Sequence, residues 1–348
     1  MLVAALSHDV EPRTPPTALT PGDPWKGFPL RDVPLIPAAA PLSSAATATR
    51  PIDVWRLSNE LVAPAEGVVV SRWSRRIVAA SLTERRAFFM AGLGDWLRRV
   101  TKVHLSSVSQ RSTLLAPGRR YFYHAYVDVV SRICAFGLPG LAETEVQVLH
   151  HGPMDPLMRF LMERLRPANV TFRALDSPDL IRVEELVFPT FPAWNFSGWL
   201  PNWYLTQLRQ ALLPDRPSRR SERICIVRRG RRRLLNQDLL LDRLRRHGFY
   251  PVVLEELSFG EQIRIFHDAE AIVATHGAGL TNLLFATGAL VVEIFPTSAV
   301  VPHFLLMAAS LDHHHRYVLG TNTQLLSDFE TNVAAVEREV VIGLEDLR

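Results

Sequence analysis

The run Thr275-His276-Gly277-Ala278-Gly279-Leu280-Thr281-Asn282 sets two glycines, a histidine and an asparagine inside an otherwise apolar stretch. Apolar residues before it predict a buried strand and those after it a helix, so the run is a strand-to-helix turn. Such a turn aims free backbone N–H groups and the positive end of a helix dipole at one spot, which suits an anion. Gly277 and Gly279 would let a phosphate come close to the backbone. The competing reading is a plain tight turn that His276 and Asn282 fasten by hydrogen bonds. A dinucleotide fingerprint does not fit. Asn282 stands where GxGxxG needs its third glycine, and the turn follows the third predicted strand of its domain rather than the first.

Arg228, Arg229 and Arg233 follow the predicted strand RICIVR, at the carboxyl edge where ligands bind in open α/β sheets. Their guanidinium forks suit phosphate, although RRGRRR also reads as a solvated charge run. No aromatic residues interleave with it, which argues against a nucleic-acid surface. Glu293 ends a later strand on the same side, where a carboxylate suits a pair of sugar hydroxyls; its plain reading is a satisfied edge Glu. Gln262, early in a helix, has a packing or capping reading beside a functional one. His124 and Asp128 stand four apart on a predicted helix, so their side chains can touch. A histidine oriented by a carboxylate is suited to general base work, and a carboxylate can also act directly. Otherwise the Asp only steadies a partly buried His.

Other candidates fall away. His313, His314 and His315 are consecutive in a strand entry, so they alternate faces and cannot share one metal ion. His150 and His151 have no visible third ligand. Trp194, Trp199 and Trp203 read as packing at a domain seam rather than a sugar-stacking surface. Cys134 and Cys225 lie in apolar runs as small buried hydrophobes, as in a reducing compartment.

The elements that must position these residues follow from pattern. With 348 residues, 47% of them hydrophobic, the chain has room for two domains. A net charge of +4 is modest, and only Lys26 and Lys102 are lysine, so the basic residues are nearly all Arg. Residues 1–50, rich in Pro, Ala, Ser and Thr, are expected to be a disordered or loosely draped arm. The N-terminus has no charged region followed by a long apolar core, so no signal peptide is expected and the chain is read as soluble and cytoplasmic. The long apolar stretch Ala271 to Phe295 is broken by Gly, His, Asn and Thr, and is expected to be strand, turn, helix and strand. Residues 51–213 mix predicted strands (GVVVSRW, EVQVLHH, TFRALD, VEELVFP) with helices (YFYHAYVDVVSRICAF, DPLMRFLMERL), an α/β domain. Polar, Pro-containing residues 214–222 are the expected linker. From 223 to 320 strands and helices alternate regularly, predicting a parallel, doubly wound sheet. Ser258 with Glu261 three residues on forms a capping box, and Gly248 closes the preceding helix. Residues 321–348 carry Phe329, Val333, Val336, Val340 and Leu344 on one face, a helix that packs on the body.

The stretch from Asn236 to Pro296 resembles the C-terminal half of glycosyltransferase family 61. The family shows an Arg shortly before an Asn, here Arg233 before Asn236; a Gln early in a helix, here Gln262; the turn HGAGLTN, here His276 to Asn282; and a Glu–Pro strand end, here Glu293 and Pro296. Its aromatic-flanked His with Asp four residues later has a counterpart in His124 and Asp128 of YFYHAYVDVV. Ala125 departs from bacterial members, which often carry Trp there. The resemblance implies an α/β chain of GT-B type, two Rossmann-like α/β/α domains facing a cleft. It implies a UDP-sugar donor, a glycan or glycoconjugate acceptor, and inversion by direct displacement. One base then takes the acceptor proton, either His124 or Asp128. The residues for the donor are Arg228, Arg229, Arg233, Asn236, Gln262, His276, Gly277, Ala278, Gly279, Leu280, Thr281, Asn282 and Glu293. Arginine would neutralise the diphosphate, so no metal and no further cofactor are expected. No nucleic-acid partner is expected, and the acceptor could bring the protein to a membrane surface. The alternative is a catalytically silent nucleotide-sugar-binding scaffold with the same fold.

Overall fold

The computed structural model describes residues 2–6, 52–63, 67–70, 103–114, 122–176, 180–189, 192, 198–230, 232–296, 303–321 and 327–348. The described residues up to 192 form one unit and those from 198 onward a second. Of the arm expected over residues 1–50, Leu2–Leu6 is a strand, and the remainder lies outside the described residues, as does Trp194.

The first unit is built on a mixed sheet. Its strands are β1 (Leu2–Leu6), β2 (Ile52–Ala63), β3 (Val68–Val70), β4 (Val103–Val108), β5 (Ser112–Leu114), β6 (Val146–His151), β7 (Val170–Leu175) and β8 (Leu180–Pro189). The order is β1-β2-β8-β5-β6-β7, with β3 on β2 and β4 on β8. β2 runs antiparallel to β8, whereas β4 runs parallel to β8 and β5, β6 and β7 are mutually parallel. This sheet is therefore not a uniformly parallel Rossmann sheet. Val62, Val108, Leu149, Val183, Leu186 and Phe188 pack its core. Helix α1 covers 122–137 and α2 is Pro156–Leu165. Asp155 caps α2 by accepting from Met158 N at 2.9 Å. α1 is not a plain α-helix: Ala125–Val130 winds as a π-helix between α-helical turns. Widened turns of this kind are rare and gather at functional sites.

The second unit holds β9 (Glu222–Ile226), β10 (Tyr250–Val252), β11 (Ala269–Thr275), β12 (Leu290–Phe295) and β13 (His314–Leu319), all parallel in the order β10-β9-β11-β12-β13. Its helices are α3 (Asn202–Leu212), α4 (Gln237–Arg245), α5 (Phe259–His267), α6 (His303–Ser310) and α7 (Val333–Asp346). β11 and β12 are mostly apolar and buried nearly throughout, as central parallel strands are. Leu240, Leu241 and Leu244 of α4 and Val333, Val336 and Val340 of α7 pack one face with Val273 and Val292. The capping box is present: Ser258 Oγ accepts from Glu261 N at 3.3 Å, and Glu261 Oε2 accepts from Ser258 N at 2.8 Å. One expected element changes type. Residues after the glycine turn form a 3-10 helix, Ala278–Phe285, rather than an α-helix. Among the described residues no helix is long and apolar enough to cross a membrane.

Residues 214–222 lie against the end of α5 within the second unit. Arg216 Nη1 and Nη2 bond the two Asp268 carboxylate oxygens at 2.8 and 2.6 Å, and Arg219 N donates to Oδ1 at 3.0 Å. The Arg216 bond, with the Arg219 amide, holds the Asp268 carboxyl well below the usual range, against burial, which pushes it up. A carboxyl depressed in the folded state stabilises above its unfolded value of about 4 and loses that contribution as pH falls through the folded value. Asp268→Asn is therefore expected to lower the melting temperature at pH 7 and to flatten its fall below about pH 4. Wild-type and variant melting curves that stay parallel from neutral to acid pH would show that Asp268 is not linked to folding.

Candidate functional site

The predicted residues are divided between the two units. In the first unit α1 follows β5, and His124 lies in its first turn. His124 Nδ1 stands 2.6 Å from Asp128 Oδ2. The Asp128 side chain is 1% exposed and that of His124 is 24% exposed, so the imidazole is the member that reaches solvent. A carboxylate only accepts, so this bond places a proton on Nδ1 and makes Nε2 the basic atom of the neutral ring. Four residues further on, Arg132 is buried, donates from Nε to Pro189 O at 2.7 Å and stacks over Phe188. Burial pulls its guanidinium down to about 9, and the charge of Asp128 resists that shift. Arg132 thus places a cation beside the dyad. Sequence patterning missed it because an Arg in an apolar helix reads as a surface residue. Tyr123 packs edge-on to the His124 ring at 5.2 Å.

In the second unit the strand order reverses between β9 and β11, where open α/β sheets bind ligands. A narrow cleft of about 10 Å³, room for little more than a water molecule in this conformation, opens there, lined by Ile226, Arg228, Gln237, Thr275 and Ile294 among others. Arg228 reaches across and donates from Nη1 to His276 O at 2.9 Å. Burial lowers its pKa, as does the nearby charge of Arg232, while Glu255 acts in the opposite direction. Arg232 is partly buried too; its Nε lies out of solvent without a hydrogen-bond partner, and its backbone is left-handed at φ 61°. A non-glycine residue held there stores strain, a feature that clusters at ligand sites. Among the described residues neither Arg228 nor Arg232 forms an ion pair with a carboxylate. Two like charges are thus held together at one edge. The Thr275 hydroxyl lines the same cleft, buried and without a partner.

The glycines serve a different purpose from the one their spacing suggests. A Cβ on Gly277 would fall 2.2 Å from Arg228 Nη1, and one on Gly279 would fall 2.7 Å from Leu254 Cδ1. Their missing side chains admit a guanidinium and a leucine. Gln262 donates to Leu254 O at 2.9 Å and accepts from Asn282 Nδ2 at 3.1 Å, and Asn282 also bonds Gly279 O. These two amides fasten the turn, with Leu280 and Thr281 buried beneath it and Ala278 at its first helical position.

Arg229 pairs with Glu256 at the surface. Arg233 grips Asp328, with Nη2 to Oδ2 at 2.7 Å and its amide to Oδ1 at 2.9 Å. Asn236 donates to Thr331 O at 2.8 Å and accepts from Thr331 N. Both residues therefore tie the loop after β9 to the strand-like segment before α7, where Leu234 bridges Phe329. Glu293 is fully buried, and histidines take both of its oxygens: His276 Nδ1 at 2.6 Å and His315 Nε2 at 2.8 Å. No oxygen is left to meet sugar hydroxyls in this conformation. His313 turns elsewhere, its Nδ1 accepting from Ala289 N and its Nε2 donating to Leu283 O, and burial lowers it to about 4. The histidines of 313–315 do not converge. Burial pushes the Cys225 thiol up to about 12 and raises that of Cys134, so neither is a ready nucleophile.

Over 59 residues the chain is 41% identical to the EGF domain-specific O-linked N-acetylglucosamine transferases of Gallus gallus and Mus musculus. The aligned segment is 16% of this chain and 11% of each relative, so only a small part of those proteins is represented. The family model described as Glycosyltransferase 61 matches residues 122–292, from the first turn of α1 into β12. This span includes the His124–Asp128 dyad, the arginines after β9 and the glycine turn, and over it the chain matches glycosyltransferase family 61.

Proposed function

We propose that the protein is an inverting glycosyltransferase that takes a UDP-sugar at the β9/β11 crevice and passes the sugar to a hydroxyl of a glycan or glycoconjugate. The observation that carries this reading is the juxtaposition of Arg228 and Arg232, two partly buried guanidiniums at the carboxyl edge where the strand order reverses. Holding them together costs free energy that a diphosphate would return. In the reaction His124 Nε2 takes the proton of the acceptor hydroxyl as its oxygen attacks the anomeric carbon. The bond from that carbon to the diphosphate breaks, and the electron pair leaves with UDP. Arg228 and Arg232 neutralise the charge that develops on the leaving group. Asp128, too buried to reach a substrate hydroxyl itself, orients His124. The first unit would thus serve the acceptor and the second the donor, the division of labour of the GT-B architecture.

UDP at a hundred times its Kd is expected to stabilise the protein by about 2.7 kcal/mol. That shift is expected to survive EDTA, because arginine supplies the counter-charge. Binding that vanishes with chelator and returns with manganese would overturn the metal-free reading, and absence of any shift would overturn the donor itself. The names of the chicken and mouse relatives make UDP-N-acetylglucosamine the first sugar to test. Its slow hydrolysis without acceptor would separate an enzyme from a silent binding scaffold.

A further inference from the structure

Among the described residues Glu293 is the most thoroughly enclosed carboxylate of the second unit, and its place there has to be accounted for. A carboxylate at 0% exposure is costly unless its lone pairs are taken. Burial alone would raise its pKa, but the bonds and charge of His276 and His315 outweigh burial and hold it below the ordinary value. An ionised carboxylate can only accept. The 2.6 Å contact to His276 Nδ1 and the 2.8 Å contact to His315 Nε2 are therefore both N–H donations into Glu293. The other nitrogen of His315, Nδ1, is buried with no partner, so that ring looks only toward Glu293. The His276 ring is pinned on its faces as well, stacked on Phe295 with centroids 5.0 Å apart and tilted against Phe304 at 5.4 Å. Its plane and its Nδ1 proton are both fixed, and among the described residues Nε2 makes no hydrogen bond. The carbonyl of the same residue receives Arg228, so the backbone of His276 lies at the edge where cations gather.

We propose that Glu293, itself held by His315, is a positioning residue that presets His276 so that its Nε2, carrying a second proton in the complex, donates to a phosphate oxygen of the bound nucleoside diphosphate, a role that rests on the donor reading above. It resembles the buried acid behind a metal-ligating or catalytic histidine, where the hidden partner fixes the tautomer and direction of the exposed nitrogen. The ligand contact is made by His276; Glu293 and His315 act through it.

A double-mutant cycle read by UDP titration of the full chain tests this. Glu293→Gln keeps the side-chain shape but faces two N–H groups with one acceptor oxygen and one amide, so at least one bond must reverse. It is expected to weaken UDP binding about tenfold, the scale of one hydrogen bond to a charged group. His276→Gln is expected to weaken it at least as much. Glu293→Gln added to His276→Gln is expected to cost little more, because the residue it positions is already gone. Equal weakening by Glu293→Gln in both backgrounds would show that Glu293 acts on the fold alone, and unchanged affinity in the single variant would overturn the role outright. Nitrogen-15 histidine spectra of the ligand-free chain decide the geometry independently. His276, assigned by its loss in His276→Gln, is expected with Nδ1 protonated and that proton slow to exchange with water. A ring protonated only at Nε2, or with a freely exchanging Nδ1 proton, would overturn the clamp. If wild-type protein binds no UDP, the donor reading fails while the spectrum still decides the clamp.

Discussion

Asp128→Asn is expected to lower turnover about a hundredfold or more, the scale of general acid–base catalysis, while UDP affinity stays unchanged. The carboxylate accepts the His124 Nδ1 proton at 2.6 Å and thereby keeps Nε2 basic. An amide at the same place can donate to Nδ1, which favours the opposite tautomer and puts a proton on the atom that must receive one. A comparable exchange in the serine-protease triad costs about 10⁴ with the geometry intact. His124→Ala is expected to show a loss of similar size, and the double variant little more than either single one, because the pair acts as a unit. Both residues lie in the first unit and the proposed donor residues in the second, so kcat should fall while the UDP Kd holds. Measured turnover with a competent acceptor decides. Near-normal rates in folded Asp128→Asn and His124→Ala proteins would make the dyad structural. Asp155, the cap of α2, would then be the next candidate base.

The second unit was legible because parallel strands buried on both faces leave nearly continuous apolar runs, as in ALVVEIF, where only Glu293 is polar, punctuated by helices with capping signals such as Ser258 and Glu261. The first unit was less so. β2 mixes Arg56, Ser58, Asn59 and Glu60 into its length because the strand is partly exposed, and its place beside β8 depends on a partner more than a hundred residues away. The π-helical turn that carries Asp128 has no signature in residue types alone. At the site, spacing revealed the dyad and the glycine turn. It could not reveal that Gly277 makes room for Arg228, or that Gln262 meets Asn282, since these contacts join separate elements. Arg232 was hidden by its neighbours: in RRGRRR every Arg looks alike until backbone and burial distinguish them. Glu293 was placed on the correct strand, but its two histidine partners are set by packing.

Arg228→Ala is expected to weaken UDP binding about tenfold to a hundredfold, whereas Arg233→Ala should leave it nearly intact and lower the melting temperature instead. The two arginines sit in one loop and look equivalent in sequence, but they are engaged in different work. Arg228 extends over Gly277 to the His276 carbonyl, with Arg232 beside it and no ion pair to a carboxylate among the described residues, so an incoming diphosphate meets cations that no carboxylate already holds. Arg233 already grips Asp328 with its side chain and its amide, closing the loop onto the segment before α7. Gly277→Val should resemble Arg228→Ala, since its Cβ would displace the guanidinium from 2.2 Å away. Arg232→Gly separates charge from strain. It is expected to lose UDP affinity while keeping or raising the melting temperature, because glycine adopts φ 61° without steric cost. Calorimetric titration with UDP and thermal melts on the four variants give both readouts. If Arg228→Ala binds UDP as well as wild type, the crevice between β9 and β11 does not hold the diphosphate. If Arg233→Ala alone loses binding with its melting temperature unchanged, the Asp328 pair opens to admit the ligand, and Arg233 takes over the role assigned to Arg228.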